Sequence, residues 1–194
     1  MTECVPSGTV TPFTERDLTS LDMARHFRIV LQEEAVPPIK TRMVNRRVLP
    51  ADMDINVLLG GRLPIASRFT IRIVPGVKMS EWMATQTRRD NFTTFIDCCI
   101  RIVANREMVD QVIGEFAGAT QNWLNQIDNL QYFVRGLPNN IPQNVQVYDS
   151  WATEVEPGYA ENGAVRVARI THKSWVAVPY RTVGPPGMEG YCCR

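Results

Sequence analysis

The stretch SEWMATQTRRDNFTTFIDCCIRIVAN, residues 80–105, decides the fold, because the apolar period changes here from two to three or four. Ser80 stands where a helix cap is wanted. Behind it Phe92, Phe95, Ile96, Cys99, Ile100, Ile102 and Val103 recur at helical spacing. This spacing predicts a helix over 80–105. A second helix over 107–135 follows, with the stripe Val109, Val112, Ile113, Phe116, Trp123, Leu124, Ile127, Leu130 and Val134. Gly136 and Pro138 stop it: glycine takes the left-handed cap, and proline forbids continuation. The join near Asn105 is too short for more than a kink or a tight reversal, so an antiparallel pair of helices is expected at the centre of the chain.

Upstream the texture is that of strands. Arg68 to Val74 is the clearest, with Phe69, Ile71 and Ile73 on one face, Arg68, Thr70 and Arg72 on the other, and Pro75-Gly76 at its end. Arg25 to Leu31 has the branched and aromatic content of a strand stopped by Pro37-Pro38, and Thr41 to Leu49 reads as a second strand. Asp54 to Leu59, ending at Gly60-Gly61, fits either a short strand or one helical turn. Downstream, Val145 to Val155 and Ala164 to Val183 are strand-like. The second has apolar residues on both sides, so either both its faces are covered or Thr171 to Ser174 turns it into a hairpin. The fold class expected is α+β: a mainly antiparallel sheet from the N- and C-terminal segments, packed with the central antiparallel pair of helices. Residues 1–22, rich in Thr, Ser and Pro, read as an extended arm, 23–183 as one domain, and 184–194, opening on Gly184-Pro185-Pro186-Gly187, as an irregular tail.

Composition bounds the function. The 194 residues are 44% hydrophobic and 21% charged, enough to bury one ordinary core. Of 21 basic residues only Lys40, Lys78 and Lys173 are lysines; the rest are arginines. Arginine offers a planar fork of donors and stacks on flat groups, so it suits packed contacts, whereas lysine mainly solvates a free surface. The net charge of +1 means that no whole-molecule field draws the chain onto nucleic acid or a membrane. No stretch approaches the roughly 18 apolar residues of a membrane span, and the N-terminus lacks the blocks of a signal peptide. The expectation is synthesis inside the cell and no membrane partner. Five cysteines, odd in number and including the neighbours Cys98-Cys99 and Cys192-Cys193, make a poor disulfide framework and read as reduced thiols.

Chemistry-bearing motifs are few. His26 and His172 are the only histidines, both inside predicted strands and without a local catalytic set, so no enzyme is expected. Zinc spacing such as C-x2-C is missing, and the carboxylate pairs Glu33-Glu34 and Asp52-x-Asp54 lack the further ligands of a calcium loop. No cofactor is implied. Gly114-x-x-x-Gly118 would let another element approach the second helix closely, at a cost of about 1 kcal/mol of propensity per glycine. Packing against the first helix is the plainer explanation. Gly114, Gly118 and the nearby Trp123 are the candidate subunit-interface residues. Arg88, Arg89 and Arg101 on the predicted first helix form a row that could hold phosphates, against the plainer reading of a solvated face neutralised by Asp90 and Asp97.

These features favour a structural subunit of a self-assembling particle, such as a viral coat or virion protein, whose partners are copies of itself. The alternative is a small RNA-binding or regulatory protein using the arginine row.

Overall fold

The segment read as the first strand is a helix. In the computed structural model, which describes residues 18–50, 52–64, 67–83, 87–102, 106–126 and 146–179, helix α1 spans Ser20–Val30. It opens on a reciprocal cap: the Thr19 hydroxyl accepts from the Asp22 amide at 3.2 Å, and the Asp22 carboxylate accepts from the Thr19 amide at 3.0 Å. Met23, Ala24, Phe27 and Val30 are its buried stripe. The prolines do not end a strand. They fall in the first turn of α2, Val36–Asn45, which continues from α1 through unbroken helical backbone. Pro37 and Pro38 cannot donate to the carbonyls before them, and the rod widens into a π-turn at Leu31–Ala35 to pass this point. Thr41 to Leu49, read as a second strand, is the end of α2 and the turn after it, with Met43 buried.

The larger correction concerns residues 80–105. Their described part holds strands and no helix: β2 (Phe69–Met83) runs into it, and β3 (Thr87–Arg101) is the middle strand of a five-stranded sheet. The sheet order is β1-β2-β3-β5-β4, with β1 (Ile55–Leu59) parallel to β2, and β4 (Gln146–Ala160) and β5 (Val165–Pro179) antiparallel to their neighbours. The central antiparallel pair of helices is therefore overturned. One long helix remains, α3 (Arg106–Leu124). The expected continuation to 135, the stop at Gly136 and Pro138, the arm residues 1–17 and the tail 184–194 lie outside the described residues. Leu18, within the stretch read as an arm, is buried.

The misreading has a physical cause. Along β3 the side chains alternate, Phe92, Thr94, Ile96, Cys98 and Ile100 to one face and Asn91, Thr93, Phe95, Asp97 and Cys99 to the other. From Ile96 to Ile100 both faces are buried, so apolar residues recur at three and four as well as at two. Pro75-Gly76 likewise does not end β2. A bulge between Pro75 and Lys78 absorbs it, and a Cβ at Gly76 would collide with the Thr93 carbonyl oxygen. Asp54 to Leu59 resolves as strand β1, and Thr171 to Ser174 continue β5 without a hairpin. The β4–β5 turn uses left-handed backbone at Glu161, Asn162 and Gly163.

The three helices among the described residues lie on one face of the sheet. Helix α1 packs on β1, β2 and β3, and α3 on β3, β5 and β4. Between the layers stand Phe27, Leu31, Phe69, Ile71, Phe92, Ile96 and Phe116. Each such side chain contributes about 1.5–3 kcal/mol by leaving water. On the far face only one end is closed among the described residues: Leu63 packs there against Cys99, Val165 and Val167.

Candidate functional site

The far face of the sheet carries the arginines in cross-strand rows. Register places Arg72, Asp97, Arg169 and Glu156 side by side on β2, β3, β5 and β4, a row of alternating charge. Asp97 is fully buried between two guanidinium forks. Arg72 donates to it at 2.8 and 3.2 Å, and Arg169 at 2.7 and 3.1 Å. The Asp97 carboxylate, through these bonds, raises the already high pKa of Arg169 further. Arg169 also lies 5.1 Å from the centre of the Phe95 ring.

A second cluster occupies the other end of this face. Arg89 reaches Glu81 at 2.8 Å and stacks 4.4 Å above the Trp175 ring, which meets Trp151 edge-on at 5.2 Å. Trp151, Trp175 and Phe95 are partly exposed. Over the middle of this face Arg72, Arg89, Arg169 and Lys173 stand against Glu81, Asp97, Asp149 and Glu156, four cations against four carboxylates, and towards its end Arg101 pairs with Glu161. Flat, stacked, internally neutralised groups of this kind suit a protein surface. A phosphate backbone calls instead for uncompensated cations.

The three arginines expected in one helical row are placed apart. Arg88 points under the helices, buried, with its guanidinium 2.9 Å from the Asp90 carboxylate, which Lys78 also meets at 3.0 Å. Arg89 and Arg101 are on the far face but twelve positions apart, about 40 Å along a strand. Arg101 pairs with Glu161 at 3.0 Å. Asp97, expected as a neutralising partner of the row, serves Arg72 and Arg169 instead. Gly114 and Gly118 lie on the outer side of α3, with open space where a Cβ would stand, so packing of these glycines against a first helix is not what the structure holds. Trp123 belongs to the core between α3 and the sheet.

Both histidines are buried. His172 lies beneath α1, its Nε2 2.8 Å from the Ser150 hydroxyl and its Nδ1 3.3 Å from that of Ser174, with the Phe27 ring edge-on at 4.7 Å. Burial pushes its pKa down to about 3, which makes it a poor general base at neutral pH. Burial also pushes the Cys99 thiol up to about 12 and the Cys98 thiol higher still, so neither is a ready nucleophile. Among the described residues no three His, Cys, Asp or Glu side chains are grouped to hold a metal ion, and no helix is long and apolar enough to cross a membrane.

Sequence reasoning missed the Arg72, Asp97, Arg169 row and the Trp151, Trp175 pair. Arg72 was placed on the polar side of its strand. Its partners could be recognised only once 87–101 was known to be the strand beside it.

The chain thus has a two-layer architecture, helices on one face of a mixed sheet and an internally paired arginine-aromatic surface on the other. No protein-family model matches it, and no curated protein does. Among solved structures it is similar to a chain described as "Virion of native gene transfer agent (GTA) particle", at TM-score 0.46 and 8% identity, over 75% of this chain and 99% of that one. A likeness of this degree fixes neither the fold nor the function of the present chain.

Proposed function

We propose that the chain is a non-catalytic structural subunit of a self-assembling particle, of the kind that builds a virion, and that copies meet through the far face of the sheet. The observation that carries this is the internally paired surface of Arg72, Asp97, Arg169, Arg89, Glu81, Trp175 and Trp151 on the face away from the helices. Arginine and tryptophan are the residues that most often dominate binding energy at protein interfaces.

The size is suitable. Four strands of 15 residues, about 4.8 Å apart and rising about 3.3 Å per residue, make a face of about 950 Å². With Leu63 and its neighbours over one end, about 700 Å² is left, against about 800 Å² per partner in a standard interface. Nucleic acid has no role in this proposal, since Arg88, Arg89 and Arg101 each already hold a carboxylate.

Light scattering on a size-exclusion column tests it. The chain should elute as species above the 22.0 kDa monomer, and Arg169→Ala with Trp175→Ala should shift it to monomer with an unchanged far-UV spectrum. A wild-type monomer at every concentration and salt overturns the proposal.

A further inference from the structure

Each arginine within the described strands holds a carboxylate. Arg72 and Arg169 share Asp97, Arg88 meets Asp90, Arg89 meets Glu81, Arg101 meets Glu161 and Arg166 meets Asp110. Arg68, one residue ahead of β2, departs from this rule: among the described residues its side chain has no ion pair and no hydrogen bond. Its cross-strand neighbour is also an arginine. The Arg101 amide donates to the Arg68 carbonyl at 3.0 Å, and both side chains line one cleft at the end of the far face, with Leu63, Ser67, Thr70 and Cys99. Like charges directly opposite each other in a sheet repel. Glu161 answers only one of the two, at 3.0 Å from Arg101. Arg62, exposed and next to Leu63 in the chain, adds a third cation to this corner.

The donors point to the same need. Arg68 Nε and Arg101 Nε are both buried and have no hydrogen-bond partner among the described residues. Buried N–H groups left in this state are rare in folded proteins, and most costly on a charged group. The Ser67 hydroxyl oxygen accepts from the side-chain amide of Asn56, which leaves its proton to be given elsewhere.

Three cations against one carboxylate leave an excess of two charges in this corner. Guanidinium forks fit phosphate and carboxylate oxygens alike, and the excess favours a dianion over a single carboxylate. The cleft measures about 150 Å³, below the roughly 300–1,000 Å³ of sites that bury organic molecules, so it suits a small ion. We infer that Arg68 and Arg101 bind a small phosphate-class oxyanion in this cleft. The ion neutralises the corner and gives the two Nε donors an acceptor. A nucleic-acid strand fits less well, because its phosphodiesters carry one charge each and the arginines along the rest of the face are already paired. The site stands apart from the assembly reading and does not depend on it.

Isothermal titration of inorganic phosphate into the full chain at low ionic strength tests it. Binding should saturate at one ion per chain. Arg68→Gln and Arg101→Gln should each lose at least about tenfold in affinity. Arg28→Gln, which removes the same charge from the exposed side of α1, should bind as the parent does. Glu161→Gln should bind severalfold more tightly, because a competing carboxylate is gone, a gain that a merely structural role for the pair would not produce. If Arg101→Gln weakens the fold, Arg68→Gln still decides, since Arg68 holds no carboxylate among the described residues. No saturable binding, or equal losses from Arg68→Gln and Arg28→Gln, overturns the inference. A single-stranded oligonucleotide that binds through Arg68 and is not displaced by phosphate overturns it too, and gives the corner to nucleic acid. If Arg68→Gln lowers the association state of a chain that binds no phosphate, the pair belongs to a subunit contact, and the assembly reading stands while this one falls.

Discussion

Replacing Asp97 by asparagine should destabilise the fold by about 2–3 kcal/mol. The carboxylate is fully buried and accepts four hydrogen bonds from Arg72 and Arg169. Removing one partner of a buried ion pair commonly costs about 3–5 kcal/mol, because the other charge is left uncompensated. Here the guanidinium groups have an outlet: the Arg72 side chain is 20% and the Arg169 side chain 39% exposed, so water can take over part of the lost interaction and the cost falls. For a chain of 194 residues this corresponds to a fall in Tm of about 5–10 °C. Urea unfolding followed by circular dichroism measures it, and Arg72→Gln and Arg169→Gln complete a double-mutant cycle for each arm. Because Asp97 is shielded from solvent, moderate salt should change the difference little. An Asp97→Asn chain within about 0.5 kcal/mol of the parent, with no coupling in either cycle, would show that the row is not a unit and would refute the reasoning.

Gly76→Ala should cost about 1–3 kcal/mol in a thermal melt, since its Cβ would press on the Thr93 carbonyl in the middle of the sheet; an unchanged Tm would mean that the bulge relaxes freely. Gly114→Ala and Gly118→Ala should each stabilise the chain by about 0.5–1 kcal/mol, because both lie in a helix with open space where the methyl goes. If either lowered the association state while raising the Tm, those glycines would belong to a subunit contact. His172 makes stability depend on pH in one direction. Its folded pKa of about 3 is below the unfolded value of 6.5, so its contribution is complete above pH 6.5 and is lost as the pH falls towards 3. That amounts to about 2 kcal/mol by pH 5 at 1.36 kcal/mol per unit. His172→Gln should remove that part of the slope between pH 6.5 and 5 in urea titrations, and identical slopes would contradict the burial argument.

Some of this was readable from residue order. Phe69, Ile71 and Ile73 alternate against Thr70 and Arg72 with one period only, and they form the strand face that the alternation implies. The signal that α1 is a helix was also present, in Thr19 and Asp22 three residues apart ahead of Met23, Phe27 and Val30. The branched residues Ile29, Val30 and Leu31 drew the reading to a strand instead. A proline pair does not by itself end an element: Pro37-Pro38 stands inside a helical rod, just after its π-turn, rather than ending a strand. The excess of arginine over lysine was visible as a preference for packed contacts, but its meaning was not, because Arg88 and Arg89 are adjacent in sequence and on opposite faces in space.

The amino-acid sequence alone determined the excess of arginine over lysine and those elements whose apolar residues obey one period, since local sterics and burial on one side suffice for them. The tertiary structure decided the identity of residues 80–105 and the site that depends on it. A strand buried on both faces shows apolar residues at every spacing, so its period is set by the neighbours on either side. Only when β3 lies between β2 and β5 do Arg72, Asp97 and Arg169, separated by 25 and 72 residues along the chain, become one row.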